Sequence, residues 1–188
     1  MHSSLKIDVP GGGTEILLHA CCAPCSSAIV ECLMEHGLRP TLFYYNPNIF
    51  PREEYEKRKA ECIRHAQMLG LDFVDADYDH KKWLEAVKGL ECESERGARC
   101  LQCFKDRLAA TALYAYEQGF KVFATTLATS RWKSLEQISE AGEYAESLVS
   151  NVKFWDQNWR KSGLSERRNE LVSIYGFYNQ LYCGCEFS

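Results

Sequence analysis

The placement of ten cysteines in 188 residues constrains this chain more than any other feature. Cys21, Cys22 and Cys25 form C-C-x-x-C, Cys100 and Cys103 form C-x-x-C, and Cys183 and Cys185 form C-x-C. Cys32, Cys62 and Cys92 stand alone. Close pairs that converge from distant parts of a chain are how proteins build thiolate cages for soft metals. Seven clustered cysteines exceed what one four-coordinate site uses. On spacing alone, a structural zinc site made from the two C-x-x-C pairs competes with an iron–sulfur cluster. The cluster takes four thiolates at irregular spacing and leaves thiols over for a second metal or a redox disulfide. The adjacency of Cys21 and Cys22, and the additional C-x-C, argue against a plain zinc ribbon. Cys32 and Cys62 fall within helical patterns and are expected as buried apolar side chains. Cys92 lies in a charged stretch near Cys100, without a partner at short spacing.

A disulfide framework is the other use of many cysteines, and it needs an oxidising compartment. The first fourteen residues contain no apolar stretch of the kind a secretory signal carries. Leu18-His19-Ala20-Cys21 loosely resembles a lipoprotein cleavage site, but no basic segment precedes it. No apolar run approaches the roughly 18 residues of a membrane span. A cytoplasmic protein with reduced thiols is therefore expected. Hydrophobic residues make up 46% and charged residues 26%, which excludes disordered and fibrous classes. The net charge of −4 excludes a globally basic field, so any contact with nucleic acid must be a local patch.

Apolar runs and helical patterns alternate along the chain. Strands are expected at Glu15–Ala20, Pro40–Tyr45, Leu71–Ala76 and Lys121–Thr125, with a short fifth at Asn151–Phe154. Helices are expected at Ser26–His36, from Pro51 to Leu69, at Lys81–Lys88, Cys100–Gln118 and Leu135–Leu148, and from Ser165 to Tyr175. Gly70 and Gly119 supply helix stops. The pattern predicts one α/β domain over residues 15–188, preceded by a flexible leader at 1–14, with a mostly parallel sheet and helices on both faces. In such sheets ligands bind beyond the carboxyl ends of the strands. C-C-A-P-C occupies the first such loop, at the entry to a helix, where a thiolate is favoured.

The ordered set His19-Ala20-Cys21-Cys22-Ala23-Pro24-Cys25, Tyr45-Asn46-Pro47-Asn48-Ile49, Glu95-Arg96-Gly97-Ala98-Arg99-Cys100-Leu101-Gln102-Cys103 and Tyr182-Cys183-Gly184-Cys185 resembles the cobalamin-independent epoxyqueuosine reductases of the QueH type. The resemblance continues through Glu54-Tyr55, Arg58, Tyr78-Asp79, Trp83, Thr125-Thr126-Leu127 and Lys133, and covers nearly the whole chain after residue 14. The chain departs from the family pattern at Ser130-Arg131-Trp132, where Ser-Pro usually precedes the lysine, and at Phe50 and Phe104.

The resemblance implies a Rossmann-like sheet of the nucleotide-alpha-hydrolase type with a helical C-terminal segment. It implies loss of the epoxide oxygen of epoxyqueuosine at the wobble position of tRNA, giving queuosine. It also implies a 4Fe–4S cluster, an additional mononuclear iron beside it, and an electron donor. Cys21, Cys22, Cys100 and Cys103 are the expected cluster ligands. Cys25 is left for the adjacent iron or as a substitute ligand. Cys183 and Cys185 form a redox disulfide or hold a second metal. Asp79 is a further ligand or proton donor, or else the N-cap of the short helix after it. His19 orients a ligand, donates a proton, or is a hydrogen-bonded core residue. Arg99, Arg131 and Lys133, together with Arg96, are the expected RNA contacts. The Phe154–Arg168 segment, with Trp155 and Trp159 among basic residues, is either a stacking surface or a helix with buried tryptophans. Two other classes compete: a zinc-binding RNA-interaction protein without redox activity, and a thiol–disulfide oxidoreductase acting through C-x-x-C.

Overall fold

The five strands are β1 (Glu15–His19), β2 (Arg39–Tyr44), β3 (Phe73–Asp75), β4 (Val122–Thr125) and β5 (Lys153–Phe154). They form one sheet in the order β3-β2-β1-β4-β5, every pairing parallel. The computed structural model describes residues 5–188. Parallel strands need crossovers, which α1 (Ala23–Glu35), α2 (Arg52–Leu69), α3 (His80–Ala86), α4 (Ala98–Gln118) and α5 (Leu135–Ser147) provide. A last helix, α6 (Leu164–Tyr175), packs against α1. Ile16, Leu17, Leu18 and His19 point alternately to the two faces of β1 and are all fully buried. Both faces of the sheet are therefore covered, as a parallel α/β sheet requires. This is the Rossmann-like architecture of the nucleotide-alpha-hydrolase type.

Residues 1–4 of the expected leader lie outside the described residues, and Leu5 already packs into the main core. The core continues through Leu42, Phe123 and Ala124 on the sheet and Leu33, Leu108, Ala112 and Ala115 on the helices. Helix α4 keeps its apolar face until Gly119, whose φ of 82° ends it in the left-handed region that glycine tolerates. Two short 3-10 turns, at Pro10–Gly12 and Thr126–Thr129, are absent from the sequence expectation.

Strand order reverses between β1 and β4: the chain leaves β1 toward β2 on one side, while β4 lies on the other. The crevice beyond the carboxyl ends of these two strands is where doubly wound sheets bind ligands. The cysteine loop after His19 and the turn after Thr125 face each other there. The amide of Cys21 donates to Thr126 Oγ1 at 3.0 Å across this gap.

Candidate metal and active site

Cys21, Cys22 and Cys25 place their sulfurs within 4.8 Å of one another. Local chain chemistry produces this tripod. Cys22 is the N-cap of α1 with extended backbone, and Pro24 in the first turn starts the helix so that Cys25 returns beside it. Cys21 Sγ lies 3.9 Å from Cys22 Sγ and accepts from the Thr126 hydroxyl at 3.3 Å. The thiol protons of Cys22 and Cys25 hold the Cys21 thiol well below its ordinary range, helped by the charges of Lys133 and Arg107. The converse holds for its partners. Donating to Cys21 pushes Cys22 up to about 12, and Cys25 well above the ordinary thiol range. Cys21 is therefore the sulfur of the triad most readily deprotonated, and Cys22 and Cys25 are the ones that favour keeping their protons.

Cys100 and Cys103 lie one turn apart at the start of α4. Burial raises both, Cys103 to about 12, with the neighbouring Cys183 adding to the effect. Cys183 and Cys185 sit on the C-terminal tail, and no disulfide joins any cysteines among the described residues. Burial raises Cys185 as well, with Cys183 and Cys100 contributing. Two buried arginines fix this tail. Arg58 donates to the carbonyls of Cys183 at 2.8 Å and Tyr182 at 3.5 Å, and is itself paired with Glu54 at 2.6 Å. Arg99 donates to the carbonyl of Phe187 at 3.1 Å, and to those of Glu91 at 2.7 Å and Glu93. The amide of Phe50 donates to the carbonyl of Gly184 at 2.8 Å, and Ile49 forms a β-bridge with Cys185.

One cavity of about 960 Å³ is lined by Cys21, Cys25, Cys100, Cys103, Cys183 and Cys185. Thus the structure gathers six of the seven motif cysteines around one space, with Cys22 directly beside it. Among the described residues, six of the eight buried polar side-chain atoms left without a partner belong to residues lining it: Asn48, Trp83, Arg99, Arg107, Gln137 and Gln180. Buried polar groups are nearly always paired, so their concentration here marks a place for polar or charged ligands.

Arg107 is the residue that sequence reasoning missed. It is 2% exposed, donates one bond to Asn46 Oδ1 at 2.5 Å, leaves Nε unpartnered, and has no ion-pair partner among the described residues. A buried guanidinium without an acid is costly unless another negative charge faces it. Cys21 is the candidate, since the charge of Arg107 helps lower it, while at Cys103 the same charge only offsets part of the rise that burial imposes. The signal for Arg107 was its position one helical turn after Cys103, on the same face of the expected helix. Asn46 orients it, anchored in turn by donating to the carbonyl of Ala20 at 3.0 Å.

The remaining expected residues divide. His19 is wholly buried; burial first, then Arg107, lowers it to about 3. Its Nε2 faces the carbonyl of Tyr45 at 3.1 Å, which can only accept, so Nε2 carries the proton and Nδ1 accepts from the Thr125 hydroxyl at 2.9 Å. This neutral imidazole is a core strut between β1, β2 and β4. Asp79 accepts from the Lys82 amide at 3.0 Å as the N-cap of α3. Arg99 lines the cavity, yet its hydrogen bonds all go to backbone carbonyls. Lys133 lines it too, and although burial opposes its charge, Cys183, Cys21 and Cys25 raise it overall. Arg131 is exposed at the rim. Trp155 and Trp159 are 4% and 0% exposed and pack edge to face, so they are buried rather than a stacking surface, but they lie in the connection before α6 and not on the expected helix. Arg167 beside them pairs with Glu31 at 2.6 Å. Among the described residues no helix is long and apolar enough to cross a membrane.

Comparison with known proteins adds an independent line. The family model described as Epoxyqueuosine reductase QueH matches residues 16–188. A protein of that description from Acinetobacter baylyi is 47% identical over 184 residues, covering 98% of this chain and 84% of its own. One from Haemophilus influenzae is 46% identical, covering 97% and 75%. A Thermotoga maritima relative is 36% identical, covering 92% and 89%. The crystal structure of a predicted subunit of tRNA methyltransferase from Methanocaldococcus jannaschii superposes with a TM-score of 0.57 over 90% of this chain and 94% of its own, at 14% identity. That likeness is one of fold.

Proposed function

The chain belongs to the epoxyqueuosine reductase QueH family, an oxidoreductase family of tRNA modification, and from that premise we propose that its thiol-lined cavity holds an iron–sulfur cluster at which the epoxide of epoxyqueuosine is removed. The observation that carries the reading is the convergence of the motif cysteines on one cavity at the switch point of the sheet. The donor set suits a soft metal: three mutually close sulfurs, further buried thiols opposite, no carboxylate within the triad, and a buried guanidinium to balance thiolate charge.

Cys21, Cys22, Cys100 and Cys103 are proposed as ligands to a 4Fe–4S cluster, with Cys25 free for an adjacent iron or as a substitute. When bound, such a group supplies single electrons and a Lewis-acid position for the epoxide oxygen. The protein's own residues supply the rest. Conversion of an epoxide to an alkene consumes two electrons and two protons and releases water. A dithiol closing to a disulfide yields that number of each, so Cys183 and Cys185 are suited to deliver them, after which an external donor must reopen the bond. Arg58 holds their loop against the cavity through its backbone carbonyls. Lys133, charged and facing Cys21, Cys25 and Cys183, is placed to neutralise the oxygen as it leaves. The proposed substrate is tRNA carrying epoxyqueuosine at the wobble position, and the protein is proposed to act in the cytoplasm.

The test is anaerobic incubation of the iron-reconstituted protein with epoxyqueuosine-containing tRNA and a chemical reductant, followed by nucleoside mass analysis. Loss of one oxygen atom from the nucleoside, absent when Cys21 is replaced by Ser, is the expected result. Unchanged nucleoside with iron-loaded protein would overturn the reading and favour a zinc-binding RNA protein. Deoxygenation by metal-free protein would favour the thiol–disulfide class.

A further inference from the structure

The charge of the cavity is opposite to that of the molecule. Its lining carries seven arginines and one lysine against two glutamates, on a chain whose net charge is −4. Arg96, Arg131, Lys133 and Arg160 form no ion pair among the described residues. Fields of one sign concentrated in a cleft of an otherwise acidic protein select a polyanion.

Within this rim stands Trp132, 72% exposed, while Trp83, Trp155 and Trp159 are at most 4% exposed. Leaving a large aromatic in water on a loose loop would need no explanation. This loop is not loose. Arg160 donates to the carbonyls of Ala128 at 3.0 Å, Lys133 at 2.8 Å and Ser130, gripping the turn from inside. The amide of Trp132 donates to the Ser130 hydroxyl at 3.3 Å, and that of Lys133 to the Ser130 carbonyl at 3.1 Å. Arg96 donates to the carbonyl of Arg131 at 3.3 Å and is itself held by Gln137 at 2.8 Å. The Arg131 guanidinium lies 5.5 Å from the centre of the Trp132 ring. An aromatic face is thus presented to solvent by a preorganised loop and surrounded by unpaired cations.

We propose that Trp132 is a stacking platform for an unpaired base next to the nucleotide that enters the cavity, with the surrounding arginines holding its phosphates. The inference rests on the tRNA reading above and adds the residue that selects a single-stranded loop over a duplex. A reacting base must leave its neighbours to reach buried thiols, and the flanking bases then meet the rim with their faces open. Stacking on an aromatic ring is indifferent to base identity, which suits a loop whose sequence varies.

The burial of the other three tryptophans leaves the long-wavelength edge of the emission to Trp132, and the difference between the parent and Trp132→Phe isolates its share from that of Trp83 in the cavity wall. The protein is titrated with an RNA stem-loop of unmodified bases and, separately, with a duplex of equal length; labelled RNA gives affinities by anisotropy. The stem-loop is expected to quench the emission saturably and the duplex to leave it nearly unchanged. Trp132→Phe is expected to keep most of the affinity, and Trp132→Ala to lose roughly ten- to a hundred-fold. Binding of the stem-loop without quenching, equal quenching by the duplex, or full affinity in Trp132→Ala would overturn the stacking role and leave the tRNA reading standing. Failure of either RNA to bind would overturn both. Circular dichroism of each variant, expected to match the parent because the ring is exposed, separates these outcomes from misfolding.

Discussion

Arg107 is the side chain whose environment makes least sense without a negative charge in the cavity. Replacing it with Gln removes that charge while keeping hydrogen-bond capacity toward Asn46. A negatively charged cluster beside the thiols would then be harder to reduce, and its midpoint potential should fall by on the order of tens of millivolts. Arg107→Lys should restore much of the loss. An unchanged potential in Arg107→Gln would show that the guanidinium serves packing alone. His65 gives a second prediction, independent of any metal. It is 1% exposed with Nδ1 unpartnered, and burial, then Arg64, lowers it to about 4. Its folded value lies below its unfolded value of 6.5. The unfolded chain therefore binds more protons between these limits, and stability falls as pH drops from 6.5 toward 4. The share due to His65 approaches about 3 kcal/mol. Because His65 meets Tyr175 and Phe177 edge to face, His65→Phe should keep the packing and flatten this slope, leaving the share of His19. Denaturant titrations at pH 7 and 5 check it. At this scale the motif cysteines were legible because spacing is a sequence property. The isolation of Arg107 and the exposure of Trp132 were not, since both depend on which residues from other elements fail to reach them.

Among the elements, strands and helices stand within about three residues of the sequence expectation, because alternating apolar runs, Gly stops and Pro starts encode them locally. What escaped was the turn after β4, a 3-10 segment whose Thr126 supports Cys21 from across the switch point; such support is a tertiary fact. Two packing predictions belong here. A Cβ on Gly142 of α5 would meet the Phe154 ring of β5 at 2.0 Å. Gly142→Ala should cost about 1–3 kcal/mol through overpacking, lowering Tm by several degrees without touching the cavity. In the tail, Gly184 has a φ of 98°, and a Cβ there would meet Arg58 Nη1 at 2.9 Å. Gly184→Ala should displace the Cys183–Cys185 loop and reduce kcat at least ten-fold, with Tm changed far less than in Gly142→Ala. Equal Tm losses in the two variants would show that the tail is part of the core rather than an arm carrying chemistry.

For the whole molecule, the Rossmann-like sheet does what its topology allows: it opens a crevice where strand order reverses and delivers three distant cysteine motifs to it. The parallel sheet and binding beyond its carboxyl edge followed from strand–helix alternation, whereas the strand order that puts the reversal between β1 and β4 did not. The division of the thiols into a tight triad and a second set near the tail did not, because it depends on where α4 and the C-terminal segment come to rest. These thiols are proposed to hold iron and sulfide. Protein purified without oxygen should contain about four sulfides and at least four irons per chain, with the broad visible absorption of a cluster that disappears in Cys21→Ser. One zinc per chain with no sulfide would overturn the cluster assignment and leave a metal-stapled RNA-binding protein in its place.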